Sequence, residues 1–303
     1  TILLKTKGFP TYHLAAMVDD HDMLITHVLR GIEWLSSAPI HILLYEALGW
    51  QMPVFAHLPS VNGADGKKLS KRTGALNARH VRELGYLPEA VLNFVSMIGW
   101  APGEGSNQEI FSRQELISQF SFAGVNQASG VFDITKMAWM NGLYIRNLSA
   151  EEFVKRAQPF LDLVSLKVPA EQFLALAPHV QERVKVLTEV APMIEFLSDE
   201  PLVRQTEAIF QKGMDEAKAR EVLTNSITQL ELLPEFSVAA IDQVLRGVAV
   251  ELGLKPGPAF VVLRIAVTGK TVTPPLFESF AVLGRDKVLS RLREMLDLIP
   301  SSI

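Results

Sequence analysis

Four cations, Lys67, Lys68, Lys71 and Arg72, fall within six positions of a glycine-flanked run, with the hydroxyl of Ser70 between them. Positive charge at that density suits a polyphosphate whose negative charge grows as a bond breaks. A solvated surface loop has the same composition, so this segment taken alone leaves both readings open.

A second concentration of polar chemistry spans 8–37 (GFPTYHLAAMVDDHDMLITHVLRGIEWLSS), where Tyr12, His13, Asp19, Asp20, His21, His27, Arg30, Glu33 and Trp34 crowd together. Three readings compete: a metal site built from Asp19, Asp20, His21 and His27, an anionic-substrate pocket around Arg30 and Tyr12, or a polar, hydrogen-bonded surface. Metal ligation favours a His-x3-His pair or a carboxylate cage, and neither is spelled here, which weighs against metal. Arg30 closes the strand-like MLITHVLR just before Gly31. It is therefore expected at a strand's carboxyl end, where open α/β sheets bind ligands, and a planar guanidinium there suits a carboxylate.

The elements that must position these groups read as part of an α/β domain over residues 1 to about 50. Short strand-like runs, TILLKT and MLITHVLR, precede a helix from Ala38 to Leu48 whose Ile40, Leu43, Leu44, Ala47 and Leu48 follow the helical period. Ser36 and Ser37 stand before Pro39 as an N-cap should, and Gly49 stands where the helix should stop. PSVNGADGKKLSKRTG follows as an exposed loop, with turn chemistry at Asn62-Gly63 and Asp65-Gly66. From Arg79 onward the pattern is helical. Pro88 opens a helix carrying Val91, Leu92, Val95 and Ile98, and Ser112/Glu115 and Ser149/Glu152 have capping-box spacing. Ile241, Val244, Leu245, Val248 and Leu252 share one later face, and Val288, Leu289, Leu292 and Leu296 another. LKPGP (254–258) and TVTPPL (271–276) read as turns between helices.

Composition sets the outer bounds. With 303 residues and 48% hydrophobic content, the chain is long enough for two or three compact domains. Charges such as Arg264 in AFVVLRIAV interrupt the apolar runs, so no membrane span is expected. The absence of cysteine excludes disulfides, thiolate zinc sites and a cysteine nucleophile in this chain and fits a reducing, cytoplasmic setting. A net charge of −4 gives no global pull toward nucleic acid, so RNA binding has to come from local basic surfaces. The start, TILLKT without a basic leader or signal core, is expected to be internal to a domain.

Taken together, Tyr12 to Ser37, HLP at 57–59 and KLSKR at 68–72 resemble the second half of glutamyl-tRNA synthetase catalytic domains. KLSKR is similar to the K-M-S-K-S signature of class I synthetases, with Leu69 in place of methionine and Arg72 in place of the last serine. GYLPEAVLNFVSMIGW, FDITKMAWMNGLYIR and the C-terminal LRIAVTGKTVTPPLFESFAVLGRDKVLSRL extend the likeness over essentially the whole chain. Ala16, Ile32 and Ile40 depart from the family's asparagine, glutamate and lysine, and no H-I-G-H-like motif occurs.

The resemblance implies a partial Rossmann-like α/β catalytic remnant followed by a mainly helical tRNA-binding region, mostly α overall. It divides the chain at 1–78 (the second half of the catalytic domain with the KLSKR loop), 79–147 (stem contact), 148–200 and 201–303 (two anticodon-binding subdomains). It implies ATP, accompanied by Mg²⁺, L-glutamate and tRNA(Glu) as ligands, no metal resident in this chain, no membrane and a monomer. By the same likeness Lys68 and Lys71 hold the ATP phosphates, with Ser70 and Arg72 in the same loop, and Leu69 and Val61 flank adenine. Tyr12 and Arg30 hold the side-chain carboxylate of glutamate, Trp34 lies near the terminal adenosine of the tRNA, and Arg183 falls near a position that reads an anticodon base. The expected activity is glutamate–tRNA ligation through a glutamyl-adenylate. Without a separate N-terminal piece this chain is expected to be inactive alone. A non-catalytic tRNA-binding module and a metal-dependent hydrolase are the competing classes.

Overall fold

The computed structural model describes residues 1–63, 65–69, 77–103, 106–210 and 213–300. The first elements are α1 (Tyr12–Asp22), β1 (His27–Gly31), a 3₁₀ helix (Ile32–Ser37), α2 (Ala38–Leu48), β2 (Val54–Leu58) and β3 (Val61–Gly63). The chain continues through α3 (Ala78–Glu83), α4 (Pro88–Ser96), α5 (Arg113–Gln119), β4 (Gly130–Phe132), α6 (Ile134–Arg146), α7 (Ala150–Leu163), α8 (Ala170–Gln181) and α9 (Val190–Ile194). It ends with α10 (Glu216–Glu231), α11 (Val238–Glu251), α12 (Pro256–Thr268), α13 (Leu276–Leu283) and α14 (Arg285–Leu298). Two compact units result: Thr1–Asn77 with Val91–Met137, and Ala78–Ala90 with Ala138–Ile303. Among the described residues no helix is long and apolar enough to cross a membrane.

In the first unit β1 and β2 pair in parallel, with His27 opposite Val54 and Arg30 opposite His57. β3 and β4 form a second parallel pair, Val61 opposite Gly130. Side chains alternate between faces, so Val28, Arg30, Phe55 and His57 share one face of the first ladder and Leu29, Val54, Ala56 and Leu58 the other. α2 has the expected bounds and closes on Gly49 in the left-handed region at φ 69°. Its start differs from the expectation: Ser37 is already helical and makes no side-chain cap, because the 3₁₀ helix runs straight into α2.

Other local expectations are corrected. TILLKT forms no strand; its one ladder contact is a bridge between Leu4 and Pro10. The strand expected over 23–30 starts only at His27, because α1, which the apolar period does not announce, occupies Tyr12–Asp22 with only Met17 fully buried. α1 closes by a six-to-one bond from Ile25 N–H to Asp20 C=O and an inner one from Leu24 N–H to His21 C=O, with Leu24 at φ 55° in the place usually given to glycine. α4 turns Ala90, Asn93 and Phe94 inward while Leu92 and Val95 stay exposed, so the face predicted for it is the wrong one. Asn93 explains the difference: its side chain donates to Glu109 C=O and accepts from Phe111 N–H. The Ser112/Glu115 capping box is present. Pro256 opens α12 instead of lying in a turn, as suits proline's fixed φ in a first helical turn.

The second unit is a helical assembly around one continuous apolar core that includes Phe153, Phe173, Leu223, Leu263, Phe280 and Leu292. Its buried polar groups are satisfied where they meet helix ends: the Gln181 amide donates to the carbonyls of Ile145 and Leu148, two of the orphan acceptors of α6 and the turn after it. The sequence patterns of α11 and α14 point into this core at Ile241, Leu245, Val288, Leu289 and Leu292.

Candidate active site

The pairing of β1 with β2 is what assembles the site. Because Arg30 and His57 are register partners on one face, the Arg30 Nε–H donates to His57 Nε2 at 3.1 Å. The guanidinium lies 4.9 Å from the centroid of Phe55, the neighbour of His57 in β2. From the other side α2 brings His41, fully buried, whose Nδ1 is 2.8 Å from Arg30 Nη1. His41 Nε2 lies 3.0 Å from Nδ1 of His13 on α1. Among the described residues, the buried Arg30 Nη2 has no hydrogen-bond partner, and neither does the hydroxyl of buried Tyr45.

The electrostatics follow from this enclosure. Arginine cannot accept, so His41 Nδ1 accepts from it, and the His41 proton sits on Nε2, donated to His13. Burial, then the adjacent Arg30 charge and His13, push the His41 imidazole down to about 4. Burial and the neighbouring Asp19 push the Asp20 carboxyl up, against the pull of Arg30. Burial also raises the Tyr45 hydroxyl, with Asp20 adding to the effect. The result is a cation held by imidazole acceptors, with no carboxylate hydrogen-bonded to it among the described residues.

Tyr12, next to His13 on α1, packs its ring against Trp34 of the 3₁₀ helix at a centroid distance of 4.9 Å. Tyr12 also meets the ring of His13 edge-on at 5.8 Å. Glu33, beside Trp34, reaches Lys68 Nζ at 3.4 Å. Its carboxyl is held below the usual range by its own backbone N–H first and by the Lys68 charge second. The loop bearing Lys68 is anchored to β3: Leu69 N–H donates to Val61 C=O at 2.9 Å, and Gly63 N–H to Lys67 C=O at 2.8 Å. Val61 and Leu69 are thus neighbours through their backbones, with Lys68 paired opposite Asn62. Ser70, Lys71 and Arg72 lie outside the described residues.

Of the candidate metal residues, Asp20, His21 and His27 line one cavity of about 480 Å³, but the two imidazoles are engaged with aromatic rings. His21 stacks on Trp50 at 4.1 Å between centroids, and His27 stacks on Phe122 at 5.8 Å. Among the described residues no group of three or more potential ligands gathers. In the second unit Arg183 donates from Nε to Thr273 C=O at 3.3 Å. It lines a cavity of about 410 Å³ with Lys185, Glu189, Met193 and Lys270. Beneath it Arg264 is bound to the Thr273 hydroxyl and Pro274 C=O. Burial first, then the Arg183 charge, hold the Arg264 guanidinium below its usual value.

His41 is the residue that sequence reasoning passed over. It lies on α2 with Tyr45, the two side chains that this helix buries, off the apolar period of Ile40, Leu43 and Leu44, and nothing local marks it. Its link to Arg30 comes through the packing of α2 and has no signal in the local sequence.

Comparison with known proteins agrees with this arrangement. A family model described as tRNA synthetases class I (E and Q), catalytic domain, matches residues 1–139, and one described as an anticodon binding domain matches residues 152–296. Glutamate–tRNA ligase of Dehalococcoides mccartyi is 42% identical over 296 residues, 96% of this chain and 60% of that protein. That of Acidothermus cellulolyticus is 45% identical over 303 residues, 96% of this chain and 59% of that protein. A crystal structure of a glutamate tRNA ligase from Elizabethkingia meningosepticum in complex with its amino acid superposes with a TM-score of 0.87 at 30% identity, covering 99% of this chain and 62% of that one. The chain thus spans about 60% of the length of the curated relatives it matches. It belongs to the glutamyl-tRNA synthetase family of class I synthetases, and corresponds to the C-terminal portion of its members.

Proposed function

We propose that this chain carries the glutamate-recognising and ATP-loop parts of a cytoplasmic, monomeric glutamate–tRNA ligase, followed by its tRNA-binding helices. The observation that carries the reading is Arg30: a guanidinium at the carboxyl end of a parallel strand, held by neutral acceptors and keeping one donor unengaged. Such a group retains its full charge for an anionic ligand. In the proposed reaction the α-carboxylate of glutamate attacks the α-phosphorus of ATP, the bond to pyrophosphate breaks, and the glutamyl group passes from the adenylate to a ribose hydroxyl of the terminal adenosine of tRNA(Glu).

Within that reaction Arg30 and Tyr12 take the side-chain carboxylate of glutamate. Trp34 lines the approach of the terminal adenosine. Lys68 and Lys71 stabilise charge developing on pyrophosphate, with Ser70 and Arg72 in the same loop, and Val61 and Leu69 flank adenine. Mg²⁺ enters with ATP as part of the substrate. Arg183 and its cavity receive an anticodon base. The expected division into a catalytic part to residue 78, a stem-contact region to 147 and two anticodon-binding subdomains belongs to the same proposal.

The test is glutamate-dependent ATP–pyrophosphate exchange, measured on the chain alone and on the chain supplemented with the N-terminal portion of a relative, with tRNA binding followed in parallel. Exchange that needs the supplement and falls by about 10²- to 10³-fold in Lys71→Ala supports the reading. Salt-sensitive tRNA binding with no exchange in either preparation favours a binding module. Exchange indifferent to Arg30→Ala and Lys71→Ala overturns the residue assignments.

A further inference from the structure

We infer that His41 and His57 are positioning residues that clamp the Arg30 guanidinium from two sides as neutral imidazole acceptors, fixing its plane and presenting its uncompensated charge to an anionic ligand. The inference deepens the reading of Arg30 as the carboxylate-binding cation and rests on it for the identity of the ligand.

The geometry makes the case. An arginine side chain has several rotatable bonds, and ordering it costs up to about 2 kcal/mol of rotamer entropy. A lone cation–ring contact with Phe55 fixes the group's height over the sheet and not its rotation. Two hydrogen bonds to different atoms, Nε to His57 at 3.1 Å and Nη1 to His41 at 2.8 Å, fix the rotation as well. The two rings come from different elements, β2 and α2. The clamp therefore forms only when the ladder register and the packing of α2 are both correct.

The chemistry of the acceptor matters as much as its place. A carboxylate clamping Arg30 would order it equally well and would also cancel the charge that a substrate carboxylate needs. Imidazole accepts through a lone pair and stays neutral. The tautomers are then set in series. His57 holds its proton on Nδ1 because Nε2 accepts from Arg30. His41 holds its proton on Nε2, where it meets Nδ1 of His13 at 3.0 Å. The Asp20 carboxyl, whose charge couples to Arg30, is not hydrogen-bonded to it, and it is raised above its usual value by burial first and Asp19 second. Among the described residues Arg30 Nη2 is left without a partner.

The proposal separates acceptor position from ring volume. Asparagine at 41 places its Oδ1 near the site of the imidazole Nδ1, and glutamine at 57 places its Oε1 near that of Nε2. Alanine removes both acceptor and volume. The chain labelled with ¹⁵N-arginine is therefore compared as His41→Ala, His41→Asn, His57→Ala and His57→Gln, with the backbone amide spectrum reporting whether each variant stays folded.

In the unsubstituted chain the Arg30 Nε–H is expected as a slowly exchanging side-chain signal. The alanine variants lose it, and the asparagine and glutamine variants keep it. In the supplemented exchange assay the alanine variants raise the glutamate KM by about tenfold or more with kcat and the ATP KM little changed, and the amide variants recover most of the loss. An Arg30 Nε–H that exchanges freely in the unsubstituted chain overturns the proposal. So does one that survives in both folded alanine variants, or amide variants no better than alanine. Arg30→Ala, run beside them, judges the ligand separately: if it leaves the glutamate KM unchanged, the carboxylate assignment falls, while the arginine signals still decide whether the clamp exists.

Discussion

The two units hold an arginine in opposite ways. Arg264 in the second unit lies in a helical core and donates to a threonine hydroxyl and a proline carbonyl, fixed groups of its own surroundings. Arg30 in the first unit donates to two imidazoles and keeps an unpaired Nη2. The same contrast extends to the apolar groups. Phe153, Leu263, Phe280 and Leu292 are at most 1% exposed, whereas Leu29, Leu43 and Val54 beside the arginine cluster are 46%, 63% and 58% exposed. The second unit invests its sequence in burial. In the first, the described residues hold an arginine in position while leaving these apolar side chains open to solvent.

The largest effect that could break this comparison is in the second unit. Phe280 is fully buried on α13, and Phe280→Ala is expected to cost about 3–5 kcal/mol through lost transfer energy and the cavity left behind. Urea denaturation of the variant measures it, with amide exchange locating the loss in α10–α14. A cost below about 1 kcal/mol, of the kind expected for partly exposed sites, would show that the second unit is no better packed than the first.

The second effect belongs to His41. Its folded value of about 4 lies below the ordinary histidine value, so between those values the unfolded chain binds a proton that the folded chain refuses. Stability is therefore fully present above pH ~6.5 and falls as the pH drops through that window, by about 3 kcal/mol at most, with no further loss from this group below pH ~4. The groups facing the ring are Arg30 from β1 and His13 from α1, with Phe55 of β2 nearby; Asp20 couples to Arg30 and Tyr45 to Asp20. His41→Asn removes the titrating ring and is expected to flatten that part of the profile, leaving the carboxylate-driven loss. Identical pH profiles for the two proteins would contradict the enclosure of His41.

These expectations mark where the sequence was readable. α2 could be bounded residue by residue because Pro39 and Gly49 agree locally, although the face it buries is that of His41 and Tyr45 and not that of its apolar period, and the Ser112/Glu115 box was readable because its two partners are also local. α1 was hidden because a helix that buries only Met17 has almost no apolar period to detect. The inward face of α4 was misread because a buried polar residue, Asn93, holds it down through bonds to Glu109 and Phe111, which hydrophobicity cannot reveal. Arg30 was recognisable by type and by its place before Gly31. His41 and His57 were not, because one joins through helix packing and the other through a register 27 residues distant.

A smaller effect tests the looseness of the first unit directly. Leu24 closes α1 at φ 55° with 81% of its surface exposed, so it bears the left-handed strain and contributes little packing in return. Leu24→Gly is expected to raise stability by about 0.5–1 kcal/mol, the relief of strain exceeding the extra freedom of the unfolded chain. A loss of stability on thermal or urea unfolding would mean that the Leu24 side chain packs more than its exposure implies.

The smallest effect is the most informative about the loop. Lys68 and Glu33 lie 3.4 Å apart with side chains 61% and 53% exposed, a setting in which ordering two long side chains consumes nearly all of the attraction. Glu33→Gln should therefore leave the urea midpoint unchanged within error. Its consequence lies in binding. While Glu33 is ionised it competes for the ammonium that the proposed function assigns to ATP, and freeing Lys68 should lower the ATP KM by about twofold in the supplemented assay, and less at high salt. A rise in the ATP KM would reverse the role: Glu33 would then be holding Lys68 in its working position, and the first unit would fix its cations by carboxylate as well as by imidazole.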